Sequence, residues 1–343
     1  MLCARLYSYK TNFVIEECPD PEIIDDKGVI VRVKGAGFCH SDIHIVDGEI
    51  PILPRMPIIL GHENAGIVYK VGKNVKNVKE GDKVVVYGGW GCGYCNYCIK
   101  GDEQLCLSPR WVGLSEYDGG YAQYLYVPDE KYLVKLNNLE PEIACIYTDA
   151  GLTSYRAYKK VKNLIEGEEF VLLIGCGGLG QFGIKILKTL TPTKIIAIDI
   201  NDEKLEKAKE YGADYIINSN LENAYKKIMD LTNGNGVIAS LDFVGNNQTL
   251  NLALISTKNS GKVIQIGLGG GNANIKVLEN TKFEVSFEFS LWGNLKELRE
   301  LISLAEIGKI TPIDIEFFEL KDINDVYRKL KENKIKGRAV IKP

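Results

Sequence analysis

The sequence predicts an α/β protein built from two different parts: a doubly wound parallel-sheet domain and a mostly antiparallel β domain. Three observations predict it. Residues 169–180, EFVLLIGCGGLG, run from an apolar strand through Gly175-x-Gly177-x-x-Gly180 into a helical pattern that lasts to Leu190. Strand and helix patterns then alternate to about residue 290, the signature of a parallel sheet covered on both faces. Residues 1–135 instead show short alternating strands broken by Gly and Pro, as an antiparallel, partly barrel-like domain requires. A length of 343 residues also suits two domains better than one core.

Bulk properties exclude several classes. Hydrophobic residues make up 45% and charged residues 25%, ordinary for a soluble globular chain. The net charge of −3 gives no pull toward nucleic acid or an anionic membrane, so neither is an expected partner. The start, MLCARLYSYKTNF, lacks the apolar core of a signal peptide. Phe170–Leu187 is the least polar stretch, but its glycines, Gln181 and Lys185 fit a strand, turn and helix rather than a membrane span. A cytoplasmic location is expected. An odd count of nine cysteines without a secretion signal argues against a disulfide framework.

In the first part, GVIVRVKGAG (28–37), AGIVYKVG (65–72) and DKVVVYGG (82–89) read as strands. All three histidines of the chain fall nearby, in FCHSDIH (38–44) and GHENAG (61–66). Such grouping beside Cys39, Asp42 and Glu63 is unlike scattered core histidines, and Cys39 and His62 are plausible metal ligands. A catalytic zinc site usually has three protein ligands and one open position. Glu63, Asp149 and Cys145 are the candidates for the third ligand.

Next comes GCGYCNYCIKGDEQLCLS (91–108), with Cys92, Cys95, Cys98 and Cys106. Four thiolates at these spacings can enclose one zinc ion tetrahedrally with no open position, a structural site. The spacing alone also allows an iron–sulfur cluster.

In the second part, Lys194–Ile198 reads as a strand ending in Asp199. Gly175, Gly177, Gly178 and Gly180 would let backbone approach a pyrophosphate at the N-terminus of the following helix. Asp199 would accept hydrogen bonds from the adenosine ribose and repel a 2′-phosphate, which favours NAD over NADP. Lys204 softens that preference. Strands are expected at 213–218, 237–245 and 261–267, and helices near 202–211, 220–232 and 246–256. Residues 291–343 return to helix and strand and are expected to pack on the first part.

In combination, GFCHSDIH, GHENAG, the four-cysteine lobe, TDAGLTSYRA (148–157), GCGGLG and IDINDEKL resemble the zinc-dependent medium-chain alcohol dehydrogenases of microbial, archaeal type, over Lys34 to Arg338. The resemblance implies a GroES-like catalytic domain at 1–149 with a structural-zinc lobe at about 90–108. It implies an NAD-binding Rossmann domain at 150–290 and a return to the catalytic domain at 291–343. It replaces the iron–sulfur reading of the lobe with zinc. It implies two zinc ions per chain, NAD as cofactor, and a homo-oligomer, by analogy a tetramer.

The same resemblance implies site roles. Cys39, His62 and Asp149 match the ligands of the catalytic zinc, with aspartate where many relatives have cysteine. Glu63 matches an acid beside the metal. Ser41 matches the hydroxyl that takes the substrate proton, and His44 the histidine that passes it to solvent. His40 and Arg338 match residues at the cofactor pyrophosphate, and Thr153 one at the nicotinamide. Cys145 falls out of register with the ligand motif and is expected in the core.

The implied reaction is hydride transfer between NAD(H) and an alcohol or carbonyl compound. Trp90, Trp111, Tyr117 and Trp292 lie in stretches that border the substrate cleft in relatives. If they line it, apolar, secondary or aromatic alcohols are favoured. A polyol, sugar or threonine dehydrogenase of the same superfamily is the alternative. A zinc-binding scaffold without catalysis would be expected to have broken ligands, and a zinc-free quinone reductase should lack both GHE and the cysteine lobe.

Overall fold

The computed structural model describes residues 1–165, 167, 169–273, 275 and 283–343. The chain divides into two compact units, Met1–Leu152 with Gly293–Pro343, and Thr153–Trp292.

The first unit opens with strands β1 (Leu2–Leu6), β2 (Val14–Glu17) and β3 (Val29–Phe38), then helix α1 (His40–Val46). Strands β4 (Ile58–Ile59), β5 (Glu63–Val71), β6 (Lys83–Val86) and β7 (Gly89–Trp90) follow. After helix α2 (Asn96–Lys100) come β8 (Arg110–Trp111), β9 (Tyr124–Val127), β10 (Leu133–Lys135) and the short helix α3 (Pro141–Ala144). The three strand stretches read from the sequence are thus β3, β5 and β6, and they pair antiparallel in that order. β3 carries the unit: it also pairs with β9, and the residues it points inward, Val29, Val31 and Val33, are buried.

Helix α4 (Ala150–Val161) leads into the second unit. Its sheet contains β11 (Phe170–Ile174), β12 (Lys194–Asp199), β13 (Tyr215–Asn218), β14 (Val237–Asp242), β15 (Thr257–Gln265) and β16 (Ser286–Phe289). The order is β13-β12-β11-β14-β15-β16, with every pairing parallel. Helices α5 (Gly178–Leu190), α6 (Asp202–Glu210), α7 (Ala224–Leu231) and α8 (Asn247–Ser256) connect the strands. The two-residue period of a strand divides the apolar side chains between two cores. Val171 and Leu173 join Ile184, Leu187 and Leu205 on one face. Leu172 and Ile174 join Ile228, Ala253 and Leu254 on the other.

The chain then returns to the first unit. Helix α9 (Leu295–Glu306) is followed by β17 (Ile315–Glu319), helix α10 (Ile323–Lys331) and β18 (Arg338–Lys342). β18 pairs antiparallel with β3, setting Ala339 opposite Phe38 and Val340 opposite Gly37. On the other side of β3, Glu63 lies opposite Gly37. Three segments distant in sequence therefore end at one corner of one sheet.

Candidate metal and cofactor sites

Cys39 directly follows β3 and caps α1. Its backbone is extended there (φ −103°, ψ 157°), and its N–H donates to Asp42 Oδ2 at 2.9 Å. A C-x-x-D sequence at a helix start thus fixes a thiol and a carboxylate together. His62 directly precedes β5, and Asp149 directly precedes α4. Cys39, His62, Glu63 and Asp149 each offer a ligand atom, all within 4.8 Å of one another, and all four residues are buried.

The pairwise geometry is specific. Cys39 Sγ lies 3.4 Å from Asp149 Oδ2. His62 Nε2 lies 3.7 Å from the same Asp149 oxygen and 3.4 Å from Ser41 Oγ. The other ring nitrogen, Nδ1, faces Asp42 Oδ1 at 3.4 Å. Asp42 in turn accepts from the Tyr121 hydroxyl at 2.8 Å, and both residues are fully buried. This arrangement leaves Nε2 turned toward the acids, as a metal-binding imidazole needs.

Glu63 pairs with Arg338, whose Nε lies 3.1 Å from Glu63 Oε2 and whose terminal nitrogen also touches Glu63 Oε1. That arginine reaches Asp149 Oδ2 at 3.4 Å. The glutamate side chain fits only because its strand partner is glycine: a Cβ on Gly37 would fall 2.0 Å from Glu63 Oε2. Burial pushes the His62 pKa down, but the Asp42 charge and bonds to Asp149, Asp42 and Cys39 reverse this and hold it well above its usual value. The corner thus favours positive charge. A soft sulfur, an imidazole and a carboxylate oxygen form a suitable three-donor set for zinc.

Cys145 stands outside this group. It is buried, its thiol donates to Glu142 O at 3.4 Å, and burial raises its pKa. The sequence-based placement of Cys145 in the core agrees with this surrounding. His44 is partly exposed, and its Nδ1 lies 2.6 Å from Glu49 Oε2. His40 is exposed at the start of α1.

The second ligand group is local. Cys92, Cys95, Cys98 and Cys106 bring their sulfurs within 4.8 Å of one another. Measured separations are 3.9 Å for Cys92–Cys98, 3.6 Å for Cys95–Cys98 and 3.9 Å for Cys95–Cys106. A tetrahedron with Zn–S of ~2.3 Å has edges of ~3.8 Å, so these three separations match the edges of a zinc site. Backbone N–H groups of Cys92, Cys95 and Ser108 donate to cysteine sulfurs at 3.2–3.4 Å. Amide donors from Cys98 and Leu107 bring the Cys95 pKa down to about 6. Burial instead pushes Cys98 up to about 12.

Among the four large rings expected at a substrate cleft, Trp90 is a correction. It is fully buried, its indole N–H donates to Tyr87 O at 2.6 Å, and it packs against Tyr117 and Tyr132. It is a core residue below the cysteine lobe and offers no surface to a ligand. Trp111 and Tyr117 are half-buried, and Trp292 is 8% exposed in the second unit.

In the second unit, Gly175 directly follows β11 with φ +92°, and a Cβ on Gly180 would fall 1.8 Å from Gly175 O. Both glycines are therefore needed for the turn itself. Gly177 caps α5, and nothing lies within 4 Å of its Cβ direction. Asp199, at the end of β12, accepts from Cys176 N at 2.7 Å and from Ile200 N and Asn201 N at 2.8 and 3.1 Å. The acid is thereby tied to the glycine turn. Lys204 sits in the first turn of α6, its N–H on Asn201 Oδ1. Thr153 is buried in α4.

A four-cysteine cage, a buried mixed-donor site and a doubly wound sheet with a dinucleotide-type turn together define a metal-binding dehydrogenase scaffold. Comparisons with known proteins give the particular family. Residues 25–138 match the alcohol dehydrogenase GroES-like domain, and residues 178–306 match the zinc-binding dehydrogenase family. The NAD-dependent alcohol dehydrogenase of Sulfurisphaera tokodaii is 36% identical over the whole of both chains. The D-arabinose 1-dehydrogenase (NADP(+)) of Saccharolobus solfataricus is 35% identical over 99% of this chain and 97% of its own. The crystal structure of the alcohol dehydrogenase from Aeropyrum pernix superposes with a TM-score of 0.94 at 34% identity, covering both chains completely. The chain belongs to the zinc-type medium-chain alcohol dehydrogenase family.

Two features of the site escaped the sequence reading. Asp42 was legible as a neighbour of the histidines but not as the carboxylate that faces His62 Nδ1 at 3.4 Å. Tyr121 carried no local signal at all, because its contact with Asp42 spans 79 positions.

Proposed function

We propose that the chain is an NAD-dependent alcohol dehydrogenase whose reaction runs at Cys39, His62 and Asp149, in the domain formed by 1–149 and 291–343, with NAD on the 150–290 domain. The observation that carries this is the convergence of a thiol, an imidazole and two carboxylates in one buried corner within 4.8 Å. When bound, a zinc ion supplies a Lewis acid there and NAD supplies the hydride acceptor.

The chain's own groups do the rest. Cys39, His62 and Asp149 hold the metal, and Asp42 fixes the His62 ring so that Nε2 remains the donor. Ser41 Oγ, 3.4 Å from that nitrogen, is placed to take the proton of the alcohol hydroxyl. His44, half in solvent and held by Glu49, passes it outward. Arg338 balances part of the charge of Glu63 and Asp149, and family likeness would put it and His40 toward the cofactor phosphates. Thr153 would meet the nicotinamide when NAD is bound. Gly175, Gly177, Gly178 and Gly180 leave the N-terminus of α5 open to the pyrophosphate. Asp199 accepts from the adenosine ribose and disfavours NADP, with Lys204 as a weak counterweight.

The cysteine lobe takes a second, structural zinc, giving two per chain. The protein works in the cytoplasm as a homo-oligomer, by family analogy a tetramer. Among the described residues no helix is long and apolar enough to cross a membrane.

Apolar, secondary or aromatic alcohols remain the favoured substrates, although Trp90 no longer supports that preference. The relative named as a D-arabinose dehydrogenase favours a second reading, a sugar or polyol. The test is near-UV detection of NADH or NADPH across primary, secondary and aromatic alcohols, polyols, sugars and threonine. Fast turnover of apolar alcohols with NAD is expected. Turnover confined to sugars, polyols or threonine would replace the substrate class and keep the site.

A further inference from the structure

We infer that Asp242 is a positioning residue for the dinucleotide, acting through the 243–245 turn on the glycine-rich loop of the second unit. The inference rests on the reading of that unit as the NAD domain.

Strand numbering runs downward from β13 to β11 and then jumps to β14, so the sheet order reverses between β11 and β14. Open α/β sheets bind ligands beyond the carboxyl ends of the strands at such a reversal. Asp242 is the last residue of β14 there, directly opposite Ile174, the residue before Gly175. Its side chain is fully buried.

A buried carboxyl is costly unless hydrogen-bonded. Here one oxygen, Oδ1, accepts from Val244 N at 2.8 Å and Gly245 N at 3.1 Å. The side chain therefore dictates the path of the next three residues. Phe243 N donates to Ile174 O at 2.9 Å, which locks the start of that turn onto the first strand of the unit. Its far side is closed by Ile266 and Gly267, whose amides both donate to Asp242 O, and by Gly269 N on Val244 O. Burial pushes the Asp242 pKa up, opposed by the same two amides and the nearby Thr249 hydroxyl.

The turn held this way presses on the cofactor loop at two points. Val244 Cγ2 lies 2.7 Å from where a Cβ of Gly175 would be, and the Phe243 ring lies 3.1 Å from the same position of Gly183. Gly175 is the first glycine of the fingerprint, and Gly183 lies in the second turn of α5. The wedge of Phe243 and Val244 thus sets where β11 ends and where α5 begins. Close-packed contacts of this kind transmit a shift rather than absorb it. Removing the carboxyl frees the wedge, and the pyrophosphate-facing amides lose their fixed placement.

The test is NADH binding to the full chain by ligand fluorescence, with thermal melting alongside. Asp242→Ala should weaken NADH about tenfold. Asp242→Asn, which keeps an acceptor oxygen on both amides, should restore affinity to within about threefold. Val244→Ala removes half of the wedge without touching the hydrogen bonds, and should weaken NADH about threefold while lowering the melting temperature by only about 2–4 °C. It also serves if the Asp242→Ala chain does not fold. Wild-type NADH affinity in folded Asp242→Ala or in Val244→Ala would overturn the inference and leave the cofactor assignment intact. No NADH binding by the wild-type chain would overturn both.

Discussion

The cysteine lobe and the buried corner at Cys39 are both fitted to zinc, and they are built in opposite ways. The lobe draws four identical donors from one stretch of the chain and satisfies them with backbone amides. The corner draws three unlike donors from three distant segments and surrounds them with spare polar groups: Ser41, Asp42, Glu63 and Arg338. Four sulfurs at tetrahedral corners leave nothing for a substrate. Three donors with a hydroxyl beside them would leave, on the proposed reading, an open position and a proton acceptor. On the proposed reading, the chemistry of each metal site is set by what surrounds its donors, and the lobe would serve only to hold its own loop.

Four predictions would break or sharpen that contrast. The largest effect is expected for Asp149→Ala. The variant should fold and keep the lobe's zinc, and its alcohol oxidation should fall by more than the ~100-fold typical of changes around a metal. Activity within tenfold of wild type would remove Asp149 from the site. Cys106→Ser should act on the other side of the contrast, lowering the melting temperature by about 10 °C because a structural zinc supplies folding energy. An unchanged melting curve would mean that the lobe holds no ion that matters for stability.

Asp42→Asn should lower zinc affinity at the corner by about 10- to 100-fold and leave the lobe untouched. A competition titration with a chelating dye reads this directly, and equal affinity would show that the His62 ring needs no such anchor. The smallest effect is expected in the second unit. Asp199→Ser should narrow the preference for NAD over NADP by about tenfold. If the kcat/KM ratio for the two cofactors stays the same, the carboxylate does not read the ribose.

The contrast also explains what could be read in the sequence. The lobe was legible because its four ligands fall within 92–106 and need no tertiary information. The glycine turn was legible for the same reason: Gly175, Gly177 and Gly180 sit between a strand and a helix that each announce themselves by period. Asp149 was different. It lies 110 positions from Cys39, and only likeness to a family pointed to it over Cys145. The pairing of β3 with β5 and β18 decides that Glu63 and Arg338 meet, and strand register across such distances has no local signature. Trp90 shows the reverse error. A large ring next to the lobe was a conditional candidate for the cleft wall, but its indole N–H finds an internal carbonyl and its faces find other rings. Element ends moved for local reasons: the helix expected at 220–232 begins at Ala224 because Asn223 caps it, accepting from Lys226 N.

The most direct test of the account is a zinc count per chain, by metal analysis, on wild type, Cys106→Ser and Asp149→Ala, with alcohol oxidation assayed on the same samples. The account predicts two ions in the wild type and one in each variant. Cys106→Ser at permissive temperature should keep its activity per folded chain, and Asp149→Ala should lose it. One ion in the wild type, or an active Asp149→Ala chain that has lost a zinc, would contradict it.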